Sequence, residues 1–170
     1  AIQWAVMAGA EVISTASNSS DRDLCLALGA KAVVNHREEN WGQQVLVATS
    51  GKKVDRVIDV EFGANLPQIL GCIAPNGVIA TYSSTQVKTP SLPFLDMMYM
   101  DLTLRMVIVY AMPESAKQAA IAAISIALEQ EQLEHRVAYV VPLEKISKAH
   151  ELIEIGGFGG CVVVSMESSE

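Results

Sequence analysis

Residues 11–23 read EVISTASNSSDRD, and this stretch decides how the rest of the chain is interpreted. Its first part, residues 11–16, has the β-branched character of a short strand. Its second part carries Ser20 and Asp23 three residues apart, a spacing typical of the start of a helix. A strand that turns directly into a helix is half of a βαβ unit, in which parallel strands alternate with helices. The stretch therefore predicts a parallel α/β fold.

The same alternation continues along all 170 residues, without repeats or low-complexity segments. Gly9 and Gly29 stand where helix C-caps are expected. The periodicity predicts helices at 1–8, 20–28, 41–49, 65–73, 113–129 and 143–155, and a short helical piece after the loop 89–93. It predicts strands at 11–16, 32–35, 55–60, 77–83, 103–110, 136–141 and 161–165.

The first ten residues, AIQWAVMAGA, look like the last two turns of a helix with no N-cap before it. In a doubly wound (Rossmann) sheet with strand order 3-2-1-4-5-6, such a helix follows the central strand and the Gly-rich turn that holds a pyrophosphate. A central strand buries about five apolar side chains, and each contributes roughly 1.5–3 kcal/mol. Their sum is comparable to the net free energy of unfolding of a whole domain, about 5–15 kcal/mol. We therefore expect a doubly wound parallel sheet lacking its first strand and Gly-rich turn in this chain, which is the back part of a longer polypeptide.

The composition narrows the class of partner. Hydrophobic residues make up 51% of the chain and charged residues 18%, enough apolar material for a sizeable core. The net charge of −7, without a Lys/Arg run, argues against a nucleic-acid partner. Apolar stretches such as 106–112 are far shorter than the ~20 residues of a membrane span. Cys25, Cys72 and Cys161 are odd in number and far apart, which fits reduced thiols in a cytoplasmic protein.

The turn after the second strand carries the evidence on cofactor choice. An acidic side chain there accepts the ribose hydroxyls of NAD and repels the 2′-phosphate of NADP, yet Ala16 offers no acid. Ser17, Asn18 and the N-terminus of the following helix supply donors to phosphate oxygens, and Arg22 adds positive charge. Asp21, in the same turn, weakens this argument. The residues favour NADP over NAD.

A purely structural interpretation of the same turn stays open beside the functional one. Ser20 is then the N-cap of the helix, with Asp23 in a capping-box position, and the acidic residues complement the helix dipole. The two interpretations are compatible.

Four segments resemble the medium-chain dehydrogenases/reductases, in particular their zinc-independent quinone oxidoreductase (zeta-crystallin-like) branch. They are GAKAVVNHREENW (29–41), VDRVIDVEFGANL (54–66), NGVIATYSS (76–84) and VPLEKISKAHELIEIGG (141–157). The resemblance implies that residues 1–135 are a Rossmann NADP-binding domain, incomplete at its N-terminus. It implies that residues 136–170 return to a GroES-like catalytic domain absent from this chain, which carries most substrate contacts and any zinc ligands. Zinc is not expected for the branch resembled, although the sequence does not exclude it.

The resemblance also assigns roles at the strand ends. It places His36 beside the 2′-phosphate, with an ordinary surface histidine as the alternative, and Asn65 against the cofactor. Many relatives that favour NADP have Lys at the position of Asp21, and many have Gly at the position of Ser83. The residues expected to bind the cofactor are Ser17, Asn18, Arg22, His36, Asn65, Tyr82, Ser83, Ser84, Thr85 and, through backbone groups holding the carboxamide, Val107, Ile108 and Val109.

Other positions have structural explanations or stay open. Gly63 allows a close backbone approach or simply makes a turn. Asp59 is either a buried, hydrogen-bonded carboxylate or a residue near the strand end. His150, inside an amphipathic helix, is interpreted as structural. The edge strand 103–110 is apolar, and family members dimerise through the corresponding strand, so we expect a homodimer.

The sequence contains no nucleophile–base–acid motif, so no catalytic residue and no metal ligand is predicted. The leading hypothesis is the cofactor-binding part of an NADPH-dependent oxidoreductase that transfers a hydride to a small-molecule quinone or conjugated enone, the 170 residues alone being inactive. The alternatives are a zinc-dependent alcohol dehydrogenase of the same superfamily and a non-catalytic structural or association module.

Overall fold

The computed structural model describes residues 1–166, in which helices alternate with strands that pair in parallel. The helices are α1 Ile2–Met7, α2 Ser19–Ala27, α3 Trp41–Ala48, α4 Phe62–Cys72, α5 Phe94–Tyr99, α6 Glu114–Glu129 and α7 Ile146–Ile155. The strands are β1 Ile13–Thr15, β2 Ala32–Val34, β3 Val54–Asp59, β4 Ile73–Thr81, β5 Thr103–Met106, β6 Val137–Pro142 and β7 Cys161–Ser165. The predicted parallel α/β class is confirmed.

The described residues divide into two compact units, residues 1–123 and residues 124–166, and the division falls within the sequence of helix α6. In the first unit β1 pairs with β2, and β4 lies between β3 and β5. In the second unit β6 pairs with β7, and the intervening helix α7 contacts both strands. The division at residue 135 expected from the resemblance stays a prediction.

The facing edges of β1 and β3 line a cavity of about 1370 Å³ in the first unit. Within the described residues, each of these strands pairs with one neighbour, β1 with β2 and β3 with β4. Across the first unit the order is β2, β1, the cavity, β3, β4 and β5. In a doubly wound sheet of order 3-2-1-4-5-6, β2 and β1 correspond to the third and second strands, and β3, β4 and β5 correspond to the fourth, fifth and sixth. The cavity lies at the position of the first strand. The predicted strand order is thus recovered on both sides of this cavity.

The core of the first unit lies where α3 and α4 pack beside β4. Ile69, Ile73 and Ile79 are completely buried, and Val45 and Leu66 belong to the same cluster. The two helices approach closely at Gly42, where a Cβ atom would lie 2.5 Å from the Gln68 carbonyl oxygen. This core fixes the carboxyl ends of β3 and β4, where the candidate site lies.

The ends of α1 and α2 confirm the predicted caps. Gly9 and Gly29 follow the last helical turns with φ of +79° and +97°, left-handed conformations that a glycine adopts without strain. The Ala10 N–H then donates to the Ala5 carbonyl oxygen at 2.9 Å and closes α1. The local sequence therefore ends both helices where the pattern predicted.

Two strand predictions need correction. Strand β4 begins at Ile73, directly after α4, and not at residue 77, and the segment APNG (residues 74–77) forms an irregularity within it, where Asn76 has a φ of +63°. Strand β5 ends at Met106 rather than at residue 110, because Val109–Ala111 form a 3-10 turn. The irregularity in β4 is accompanied by a backbone contact with the end of α5, where the Asn76 N–H donates to the Met100 carbonyl oxygen at 2.8 Å.

None of the helices within residues 1–166 has the length and apolar character required to cross a membrane.

Candidate cofactor-binding site

The turn between β1 and α2 is organised around Asn18. Its side-chain oxygen accepts the Asp21 backbone N–H at 2.8 Å, and its Nδ2 donates to Asp21 Oδ2 at 2.8 Å. The N-cap is therefore Asn18 and not Ser20, and its partner is Asp21 and not Asp23, which corrects the predicted cap. The helix starts at Ser19, so the cap lies one residue before it.

The carboxyl ends of β1 and β2 lie side by side. Thr15 pairs with Val34, and the Ala16 N–H donates to the Val34 carbonyl oxygen at 3.0 Å. Ser17 and the exposed His36 each follow two residues after this pair, so the parallel register brings them to the same edge.

Arg22, on α2, donates from Nη1 to the Val33 carbonyl oxygen at 2.9 Å. Its guanidinium is therefore anchored on β2, the strand that His36 follows. A guanidinium has five N–H donors in a planar fork, so this one bond engages only part of its donor capacity.

The end of β3 contains a buried carboxylate. Asp59 is only 7% exposed, its Oδ1 accepts Asn65 Nδ2 at 2.7 Å, and its Oδ2 accepts the Glu61 N–H at 2.9 Å. Of the two interpretations open from the sequence, the buried hydrogen-bonded carboxylate is the one observed. The contact fixes the orientation of the Asn65 amide, which lines the same cavity as His36.

The loop after β4 is packed against the start of α4. The Phe62 N–H donates to the Ser83 carbonyl oxygen at 3.0 Å, and the Gly63 N–H donates to Ser84 Oγ at 2.9 Å. A Cβ atom on Gly63 would lie 2.7 Å from Val87 Cβ and 2.8 Å from Ser84 Oγ. Gly63 therefore serves a close backbone approach, the first of its two predicted roles.

Glu61 holds the next part of this loop and was not singled out from the sequence. Its carboxylate accepts Thr85 Oγ1 at 2.6 Å, the Thr85 N–H at 3.1 Å and the Gln86 N–H at 2.8 Å. These bonds, led by that from the Thr85 hydroxyl, lower the pKa of Glu61. The one local signal was an acidic residue at the junction of a strand and a helix.

The segment after β5 leaves the regular strand but continues its pairing for one residue. The Val107 N–H donates to the Thr81 carbonyl oxygen at 2.8 Å. Ile108 and Val109 are 58% and 57% exposed, so their side chains are not part of the core. Thr81, Tyr82 and Val107 therefore meet at one edge of the sheet.

A metal centre does not fit the side chains in the part of the chain that the structure describes, since residues 1–166 contain no group of three or more His, Cys, Asp or Glu able to hold an ion. Cys25, Cys72 and Cys161 are free thiols on α2, α4 and β7. Burial raises the pKa of the Cys72 thiol.

In open, parallel α/β sheets, ligands bind beyond the carboxyl ends of the strands, which is where the polar side chains of this sheet gather. The chain belongs to the zinc-binding dehydrogenase family, whose sequence model matches residues 1–125. The predicted resemblance to the C-terminal part of medium-chain dehydrogenases/reductases is thereby confirmed.

Individual relatives agree with this assignment. Quinone oxidoreductase from Sus scrofa is 28% identical over 152 residues, covering 89% of this chain and 45% of that protein. A crystal structure of an NAD-dependent alcohol dehydrogenase is similar with a TM-score of 0.81 and 28% identity, over 98% of this chain and 47% of that one. Escherichia coli quinone oxidoreductase, solved in complex with NADPH, shares the fold with a TM-score of 0.78 at 22% identity, over 96% of this chain and 52% of that one. The chain spans about half the length of these relatives.

Proposed function

We propose that residues 1–135 are the NADP-binding domain, and residues 136–170 the return segment, of an oxidoreductase that reduces a quinone or conjugated enone with NADPH. The observation that carries the cofactor choice is the absence of an acidic residue at Ala16, directly after β1, with Ser17 and His36 brought to the same edge by the strand register. Similarity to quinone oxidoreductases supports the substrate class.

The proposed adenosine end fits a 2′-phosphate by the chemistry of its groups. Ser17 supplies a hydroxyl, the nine-residue helix α2 supplies the positive end of its dipole, and His36 supplies an exposed imidazole with a ring N–H donor. Asp21 accepts from the Asn18 side chain, so the acid that argued against NADP is engaged in the helix cap. Asn18 itself is engaged in the same cap.

The proposed nicotinamide end lies where β3, β4 and β5 finish. Residues 82–85 contribute the phenol of Tyr82 and the hydroxyls of Ser83, Ser84 and Thr85, and Val107–Val109 contribute backbone groups for the carboxamide. The Ser84 hydroxyl also donates to the Val87 carbonyl oxygen at 2.5 Å, so it shapes its own loop as well. These assignments rest on the resemblance and on the common edge of the three strands.

In this mechanism the bound cofactor supplies the hydride, and the residues of this chain bind and orient it. Hydroxyls and the helix dipole hold the adenosine phosphate, and the loop after β4 sets the position of the ribose. No side chain within residues 1–166 is assigned a proton transfer, and the absence of a catalytic residue from this chain stays a prediction. The small-molecule substrate is expected to contact mainly the N-terminal catalytic domain that the resemblance implies.

We also propose a homodimer formed through the edge strand β5. Met106, at the end of β5, and Tyr110, in the 3-10 turn that follows it, are 71% and 86% exposed, and exposed apolar side chains at a sheet edge are covered when the edge pairs with a second copy. Sedimentation of the complete protein as a monomer at micromolar concentration would contradict the proposal. A cytoplasmic location stays a prediction from the cysteine content.

A zinc-dependent alcohol dehydrogenase is the second candidate, favoured by the match to the zinc-binding dehydrogenase family and by the 28% identity to an alcohol dehydrogenase. Turnover separates the candidates. The complete protein is expected to oxidise NADPH in the presence of quinones or conjugated enones, with no loss after treatment with a zinc chelator. Alcohol oxidation abolished by the chelator would favour the second candidate, and no turnover with any substrate of the panel would favour a non-catalytic module.

His36 tests the cofactor assignment within this chain. His36→Ala is expected to raise the KM for NADPH about fivefold while changing the KM for NADH little, because only NADPH carries the 2′-phosphate. His150→Ala, which removes an exposed imidazole on α7, is the matched control. Equal changes in both KM values would count against the role of His36.

A further inference from the structure

Glu61 links two βα connections that meet at the carboxyl edge of the sheet. It is the N-cap residue of α4, directly after the strand-end sequence Asp59-Val60, and its side chain reaches the loop that follows β4. Glu61 is not among the residues proposed to touch the cofactor.

We propose that Glu61 is a positioning residue for the nicotinamide half of the cofactor. It holds residues Thr85 and Gln86 against the start of α4, so that the predicted contact residues 82–85 keep one conformation at the ends of β3 and β4. This inference rests on the proposed function.

The contacts fix this loop at consecutive residues. Ser83 accepts from the Phe62 N–H, Ser84 accepts from the Gly63 N–H, and Thr85 and Gln86 donate to Glu61. Residues 82–87 have no regular secondary structure, so these bonds to α4 supply the order that a helix or strand would otherwise give.

Glu61 is itself held in place. Its backbone N–H donates to the buried Asp59 carboxylate at 2.9 Å, and the same carboxylate accepts the amide of Asn65. A continuous chain of hydrogen bonds therefore runs from Asn65 through Asp59 and Glu61 to Thr85. Two residues predicted to touch the cofactor are the ends of this chain.

The carboxylate also determines what Thr85 offers to a ligand. Thr85 Oγ1 donates its single proton to Glu61 Oε2 at 2.6 Å, so toward any other group this hydroxyl acts as an acceptor. A ribose hydroxyl donates to such an oxygen. The geometry thus assigns Thr85 the accepting side of a hydrogen bond with the nicotinamide ribose.

Replacing Glu61 by glutamine tests the proposal at nearly constant volume. A carboxylate offers two accepting oxygens, and both are used here, Oε2 by Thr85 and Oε1 by Gln86. A carboxamide keeps one acceptor and turns the other site into a donor that faces another donor. At least one anchor of the loop is lost in Glu61→Gln.

The experiment measures dissociation constants of the complete protein for NADPH and for 2′,5′-ADP, which carries the 2′-phosphate but no nicotinamide ribose. Glu61→Gln is expected to weaken NADPH binding about fivefold and to leave 2′,5′-ADP binding within about twofold, as expected for the loss of one charge-assisted bond. Thr85→Val should shift the two constants in the same way. Glu114→Gln is the matched control, since Glu114 pairs with Lys117 and Gln118 of its own helix.

The outcomes separate this inference from the function on which it rests. Unchanged NADPH binding in Glu61→Gln, or equal weakening of both ligands, would overturn the positioning role and leave the cofactor assignment standing. If the unmodified protein bound neither NADPH nor 2′,5′-ADP, the proposed function itself would be contradicted. Weaker NADPH binding with unchanged 2′,5′-ADP binding in Glu61→Gln supports both the positioning role of Glu61 and the cofactor assignment.

Discussion

The two ends of the candidate site are built differently. The turn after β1 is stabilised within itself, because Asn18 caps α2 through Asp21, three residues further on. The loop after β4 is stabilised by the start of α4, through partners that lie 21 to 25 residues apart in sequence. The first end is a local structure, whereas the second exists only when two βα connections are brought together by the fold.

This difference predicts where single substitutions act most strongly. At the loop, one change should disturb several contacts at once and affect ligand binding together with stability. At the turn, a change should remove one cap and little else. Three substitutions, each with a matched control, test the difference from the largest expected effect to the smallest.

Gly63→Ala should have the largest effect. Its added methyl group would meet Val87 Cβ, Ser84 Oγ and the Val87 carbonyl oxygen, so either the loop or the helix start must move. We expect a loss of about 3 kcal/mol in the free energy of unfolding, at the upper end of overpacking costs, and weaker NADPH binding. Gly71→Ala, in the same helix and with open space around it, should be neutral or stabilising by up to about 1 kcal/mol. Equal changes in the free energy of unfolding of Gly63→Ala and Gly71→Ala, measured in urea, would contradict the proposed difference between the loop and the turn.

Asp59→Ala comes next, because it leaves the Glu61 N–H and the Asn65 amide without their buried acceptor. The expected loss is about 2 kcal/mol, the cost of buried donors that lose a hydrogen bond. Asp55→Ala, at an exposed position of the same strand, should change the free energy of unfolding by less than about 0.5 kcal/mol. Similar unfolding midpoints for the two variants would show that the Asp59 contacts do not stabilise this end.

Asn18→Ala should have the smallest effect. Removing the side-chain cap of α2 is expected to lower the free energy of unfolding by about 1 kcal/mol. Ser20→Ala, at the position first predicted as the cap, should stay within about 0.5 kcal/mol of the unmodified protein. A larger loss in the free energy of unfolding for Ser20→Ala than for Asn18→Ala would show that Ser20, the residue first predicted, is the N-cap of α2.

The same contrast explains how much could be predicted from the sequence. Features determined by a few neighbouring residues were correct, among them the C-cap glycines Gly9 and Gly29, the strand Cys161–Ser165 and the parallel α/β order. The cap of α2 was wrong by two residues, because Asn18 and Ser20 are both good N-cap residues and the spacing alone does not choose between them.

Features that depend on distant partners were missed. Strand β4 starts at Ile73 because it pairs there with Val54. Glu61 could not be identified as an anchor, since its partners Thr85 and Gln86 become neighbours only after β3 and β4 pair. The cofactor contacts named from the resemblance stay predictions.

The central claim, that this chain binds NADP through the turn after β1, is tested most directly by the dissociation constants of the complete protein for NADPH and NADH at matched ionic strength. The proposed site predicts that NADPH binds about tenfold more tightly, through charge-assisted hydrogen bonds to its 2′-phosphate. It also predicts that this preference falls as salt is added, since the phosphate lies at the surface. NADH binding at least as tight as NADPH binding would contradict the claim.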